Sequence, residues 1–140
     1  MSHVLHVLGQ RAEGPLPRGM SHWLNQVIGH GYGRFCSGSG WTPAVNLYEQ
    51  ADQYCVVVDL AGMQVEQVDL RAEKDVLVLQ GERAAPQPPD ACSAMRVHLM
   101  EIDHGRFCRE IELPSDVDVQ RISASYRNGY LWVRMPKKGA

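Results

Sequence analysis

"ASYRNGYLWVRMPK", residues 124–137, is the stretch that decides the fold. Asn128-Gly129 separates two runs in which apolar and polar residues alternate. A type I′ turn needs positive φ at both central positions. Asn tolerates this, and Gly has no side chain to oppose it. The twist of such a turn matches that of the strands it joins, so the stretch predicts a tight hairpin of 122–127 against 130–135. Pro136 has no backbone N–H, and the pairing should end there.

Upstream, the same period-two pattern recurs. "AVNLYEQ" (44–50) sets Val45 and Leu47 on one face, and "QYCVVVDL" (53–60) does so with Tyr54, Val56, Val58 and Leu60. "VDLRAE" (68–73) alternates Val68, Leu70 and Ala72 with Asp69, Arg71 and Glu73, while "VLVLQGE" (76–82) is almost continuously apolar. "RFCREIEL" (106–113) follows. Turn residues lie between these runs at 51–52, 61–62 and 74–75. Seven or eight short strands at this spacing predict an all-β fold, an immunoglobulin-like antiparallel β-sandwich. No helix-length pattern separates them, which excludes a parallel α/β sheet.

Two regions break the pattern. "ERAAPQPPDACSAM" (82–95) holds three prolines and is too long for a hairpin loop. "MRVHLME" (95–101) after it reads as a short edge strand. Residues 1–42 carry eight of the 13 glycines, and "GHGYGRFCSGSG" (29–40) reads as linker. Within this region Met20, Trp23, Leu24, Val27 and Ile28 fall on one face of a short helix, with Ser21 as its cap and Gly29 as its stop. Such a helix needs a surface to pack on, either its own domain or a partner. The organisation is therefore a flexible segment at 1–40, a sandwich domain at 41–138 and two tail residues, 139–140.

Composition bounds the partners. The chain has 140 residues, 44% hydrophobic and 21% charged, with a net charge of −2. This is an ordinary globular balance and gives no footprint for nucleic acid. The opening "MSHVLHVLGQ" lacks a basic n-region, and no run approaches the ~20 apolar residues of a membrane span. Cys36, Cys55, Cys92 and Cys108 fit no CxxC or zinc-finger spacing. The expectation is a cytoplasmic protein with reduced thiols.

No enzymatic chemistry emerges. His3, His6, His22, His30, His98 and His104 show no HExxH spacing and no flanking cysteine ligand, so no metal is expected. The glycine-rich stretches follow no strand and end in no Lys-Ser/Thr, unlike a phosphate loop. There is no GxSxG elbow. Cys55 and Cys108 lie inside strands and read as structural, although a Cys–His pair meeting only in space would leave no sequence trace.

Taken together, four ordered stretches resemble the small heat-shock protein family, whose hallmark is the α-crystallin domain. They are "WTPAVNLYEQADQYCVVVDLAGM", "VDLRAEKDVLVLQGER", "HLMEIDHGRFCREIELPSDVD" and "ISASYRNGYLWVRMPK". They fall within residues 41–138, 98 of the 140.

The resemblance implies a chaperone of the holdase type, with unfolding proteins as its clients and no ATP or other cofactor. It implies a client groove between the strand of Val68 and Leu70 and that of Ser123 and Ser125. It also implies a homodimer of the bacterial type, formed by exchange of the long loop. Ala94, Met95 and Val97 would then pair with the partner's first strand at Val45 and Leu47, and Arg109 would make dimer ion pairs. Met20–Ile28 would serve assembly or client capture. Members usually carry a C-terminal Ile/Val-x-Ile/Val motif that links dimers into shells. Here Lys137-Lys138-Gly139-Ala140 stands instead, which implies a dimer or a modest or mixed assembly. The rival expectation is an adaptor sandwich that binds one folded partner.

Overall fold

The computed structural model describes residues 2–4, 7–8, 36, 40–90 and 95–140. The segment 20–28, where a helix is expected, lies outside them, as do Cys92 and Ala94. The strands are β1 (Ser2–Val4), β2 (Val7–Leu8), β3 (Val45–Glu49), β4 (Gln53–Asp59), β5 (Val68–Glu73), β6 (Val76–Arg83), β7 (Gly105–Glu112), β8 (Ser123–Arg127) and β9 (Tyr130–Pro136).

They form two sheets. One has the order β1-β5-β6-β7, the other β2-β8-β9-β4-β3. Every pairing is antiparallel except β2 with β8, which is parallel. The sandwich expected from strand spacing is the observed architecture.

The β8–β9 hairpin has the expected register, from Arg127↔Tyr130 out to Ser123↔Arg134. Asn128 and Gly129 adopt φ of 52° and 81°, as a type I′ turn requires. The β4–β9 ladder ends at Gln53↔Pro136, where the proline has no N–H to continue it.

Inward-facing residues of both sheets fill the space between them. Leu70, Ala72, Leu77, Leu79, Phe107 and Ile111 come from one sheet. Leu47, Val56, Val58, Tyr126, Leu131, Val133 and Met135 come from the other. Gly81 has a packing role, because a Cβ there would lie 2.5 Å from the Gln67 carbonyl oxygen and 2.9 Å from Phe107 Cζ. Only glycine lets β6 run that close to its neighbours.

Two expectations need correction. First, 95–101 forms no strand within the chain. A strand requires a partner edge, and this segment finds none in its own chain. It stands in water, with Val97 58% and Leu99 78% exposed. Second, the thiols are not all free: Cys36 and Cys108 form a disulfide with their Cα atoms 5.5 Å apart. The two are 72 positions apart in sequence, so no local spacing announces the bond. Cys55 is buried and takes no part in that disulfide.

Candidate functional site

Three surfaces lie outside the closed core. The first is the pair β5 and β8, one from each sheet, each flanked on its outer side only by a short strand, β1 or β2. Leu70 and Ala72 of β5, and Ala124 and Tyr126 of β8, point into the core, whereas Asp69 and Ser123 are exposed. Of the residues expected to form a client groove, Leu70 and Ser125 are 2% and 5% exposed, Val68 is half-buried against the core, and Ser123 faces water.

Short strands from the chain's own start occupy part of both edges. β1 pairs with Arg71–Glu73, and β2 pairs with Ala124 and Ser125. Val4 and Val7 are three residues apart, a reach of at most about 11 Å. Packed sheets are ~10 Å apart, so β5 and β8 must lie one above the other on the same flank.

The second surface is the loop 84–104. Met95, Val97, Leu99, Met100 and Ile102 are all large, apolar and exposed, a concentration found nowhere else among the described residues. The loop is held at its base. Arg83 donates from Nε and Nη2 to the Asp103 carbonyl oxygen at 3.0 and 2.6 Å, and from Nη1 to that of Ala61 at 3.3 Å. Its guanidinium lies 4.1 Å from the centre of the Trp41 ring. Trp41 in turn donates Nε1–H to the Gly105 carbonyl at 2.9 Å and packs on Phe107. The role of Arg83 left no mark in the sequence, since its partners lie 20 and more residues away.

The third surface is the opposite flank, where β7 and β3 end their sheets. Arg109 donates to the Pro43 carbonyl at 2.9 Å, and burial lowers its pKa. A guanidinium keeps its charge under any ordinary condition, so a cation sits half-buried on this flank. Val45 is half-buried and Leu47 is in the core. At the far end of β3, Lys137 pairs with Glu49 at 2.9 Å and lies over the Tyr54 ring. The Tyr54 hydroxyl donates to Asp116 at 3.1 Å. Burial first, and then this bond, push its pKa well above the usual tyrosine value.

Among the described residues there is no cluster of His, Cys, Asp and Glu able to hold a metal. No helix among them is long and apolar enough to cross a membrane. The site is thus a set of sheet edges, two of them partly covered by β1 and β2, and one apolar loop on a closed sandwich.

The sequence profile of the Hsp20/alpha crystallin family matches residues 46–140. The chain belongs to that family. Small heat-shock proteins are ATP-independent chaperones, not enzymes.

Among its relatives, the small heat shock protein C4 of Rickettsia felis is 25% identical over 118 residues, which cover 84% of this chain and 71% of that protein. The 16.6 kDa heat shock protein of Oryza sativa subsp. japonica is 35% identical over 95 residues, 67% of this chain and 63% of that one. Of solved structures, hspA from Xanthomonas axonopodis superposes with a TM-score of 0.62 at 30% identity, covering 73% of this chain and 99% of that one. A small heat-shock protein from Xylella fastidiosa, described as having a distinct high order structure, gives 0.62 at 27% identity, over 73% and 91%. Proteins of this family form oligomers and bind client proteins.

Proposed function

We propose that this chain is a holdase, which binds unfolding proteins without ATP and keeps them from aggregating. One observation supports the reading: β5 and β8 each accept a short added strand of extended backbone on their outer side. An unfolding client offers the same thing, extended segments with unpaired N–H and C=O groups and exposed apolar residues. Strand addition supplies affinity through the backbone and is indifferent to most of the client's sequence. A groove around Val68, Leu70, Ser123 and Ser125 would be its seat, and the Met20–Ile28 face a second place of capture or assembly.

The working unit is a homodimer formed by exchange of the loop. Its five exposed apolar side chains support this, because a loop left in water would have no reason to carry them. Ala94, Met95 and Val97 would add to the β3 edge of a second copy at Val45 and Leu47. The half-buried Arg109 is suited to ion pairing across the junction.

The test is light scattering from a heat-labile, unrelated enzyme warmed with the full chain in the absence of ATP. Suppression at near-equimolar ratio supports the holdase. Undiminished scattering, with the chain itself still folded, overturns it in favour of an adaptor that binds one folded partner.

A further inference from the structure

The Cys36–Cys108 disulfide fastens the chain to β7, three residues past the end of the loop 84–104. Phe107 and Ile111 of β7 point into the core, so Cys108 points to the other face of the sheet. Five positions after Cys36, Trp41 meets the same strand again. Its backbone N–H donates to the Arg106 carbonyl at 3.3 Å, and it bridges to Phe107. Gly40 lies so close that a Cβ there would strike the Arg106 carbonyl oxygen. The chain is thus held to β7 at two neighbouring points, one covalent and one not.

Trp41 is also what steadies the loop. The loop leaves the sandwich after Arg83 and returns at Gly105, and Trp41 touches both residues. Its indole donates to the Gly105 carbonyl, and its ring carries the Arg83 guanidinium, which in turn donates to the Asp103 carbonyl. We propose that the Cys36–Cys108 bond is a redox latch on this loop. Oxidised, it keeps Trp41 in its seat and fixes the direction in which the loop leaves the sandwich. Reduced, it lets Trp41 leave, and the base of the loop swings free.

A dithiol reductant opens the latch. One of its thiolates attacks a sulfur of the bond, and the other cysteine departs as a thiolate and takes a proton. The reductant's second thiolate then displaces the first cysteine. Two electrons pass to the protein, and the reductant ends as a disulfide. The attacked bond lies on the face of β7 away from the core, so the reaction does not require the sheets to part. The contacts of Trp41 are individually weak, and the covalent tether keeps them at high local concentration. Cys55 cannot take over, since it is buried on β4 of the other sheet.

NMR on the full chain reads the latch at its own atoms. In the oxidised wild type the backbone amides of Trp41, His104 and Gly105 should have order parameters near the rigid value of about 0.85. In dithiothreitol they should fall below about 0.6. The Arg83 Nε–H signal should shift as the Trp41 ring leaves it. Cys36→Ser/Cys108→Ser should show the reduced values with and without dithiothreitol. Trp41→Leu keeps the disulfide but removes the support, so its loop base should be loose in both redox states. Amides of the β4–β9 and β8–β9 ladders should stay rigid throughout.

Equal order parameters and an unmoved Arg83 signal in the oxidised and reduced wild type overturn the latch, and this comparison needs no variant to fold. Ladder amides that loosen together with the loop base overturn it as well, because the bond would then hold the whole sandwich and not the loop. A thiol count that finds no disulfide in the air-oxidised chain does the same. The effect on assembly rests on the reading of the loop as the exchanged element, and sedimentation judges it separately. A released loop that is ready for exchange about a third of the time, in both partners at once, raises the dimer Kd about tenfold. A working latch with an unchanged Kd would sink the loop's part in the dimer and leave the latch in place.

Discussion

The Tyr126 hydroxyl lies 2.8 Å from the Met63 carbonyl oxygen, and the Leu60 carbonyl is 2.9 Å from it on the other side. The residues are more than 60 positions apart in sequence. This contact ties the second sheet to the turn that leads toward the first. Tyr126→Phe removes the one O–H donor that the two carbonyls share, and Leu60 O keeps only the Met63 N–H, at a cost of about 1–2 kcal/mol. Burial raises the Tyr126 pKa, and that of Tyr54 as well. In the unfolded chain both would ionise near pH ~10. Above that, the folded state holds more protons than the unfolded one. Stability is therefore complete below pH ~10 and falls as the pH rises through the folded values. Urea titrations at rising alkaline pH should show this decline, and it should be shallower in Tyr126→Phe. An equal decline would remove Tyr126 as its source.

Gly129→Ala should destabilise the hairpin. Its φ of 81° is left-handed, which costs a residue with a Cβ about 1–2 kcal/mol. The new Cβ would also lie 3.0 Å from Ala61 Cα, whose backbone cannot easily retreat. Chemical denaturation of the variant measures both effects together. A loss below the smaller figure would mean that the turn relaxes into another type.

The Cys36–Cys108 bond closes a loop that contains β3 to β6. Opening it should release unfolded-state entropy worth up to about 4 kcal/mol for a loop of this length. The wild type should thus melt at a lower temperature in dithiothreitol, and Cys36→Ser/Cys108→Ser should melt alike with and without it. Identical wild-type melts in both conditions would show that the bond contributes nothing to the sandwich.

The hairpin was legible because all its determinants are local. Asn128-Gly129 fixes the turn, and the alternation from Ala124 to Met135 fixes which face is buried. β5 was legible for the same reason, since Leu70 and Ala72 alternate with polar neighbours. The strands β1 and β2 were not. Three and two residues are too few to show a period, and their partners lie near residues 72 and 124. Arg83 and the Cys36–Cys108 pair escaped for a related reason: each acts on a group brought near only by the completed fold. The segment 95–101 carries strand-like residues, yet a strand also needs an edge to join, and sequence does not say whose edge that is.

That edge is the subject of the last prediction. Met95 and Val97 are 46% and 58% exposed, so replacing both with Asp costs the single chain little, within about 0.5 kcal/mol. In a loop-exchanged dimer the same two positions would be covered by the partner's β3. Each carboxylate would then be drawn out of water at positions that an apolar side chain fills in the wild type, which weakens the dimer. Sedimentation should therefore find the wild type as a dimer or larger, and Met95→Asp/Val97→Asp as a folded monomer. A variant that still sediments as a dimer would assign the interface to another surface. Loss of folding on monomerisation would instead mean that the sandwich depends on the partner's loop to cover its β3 edge.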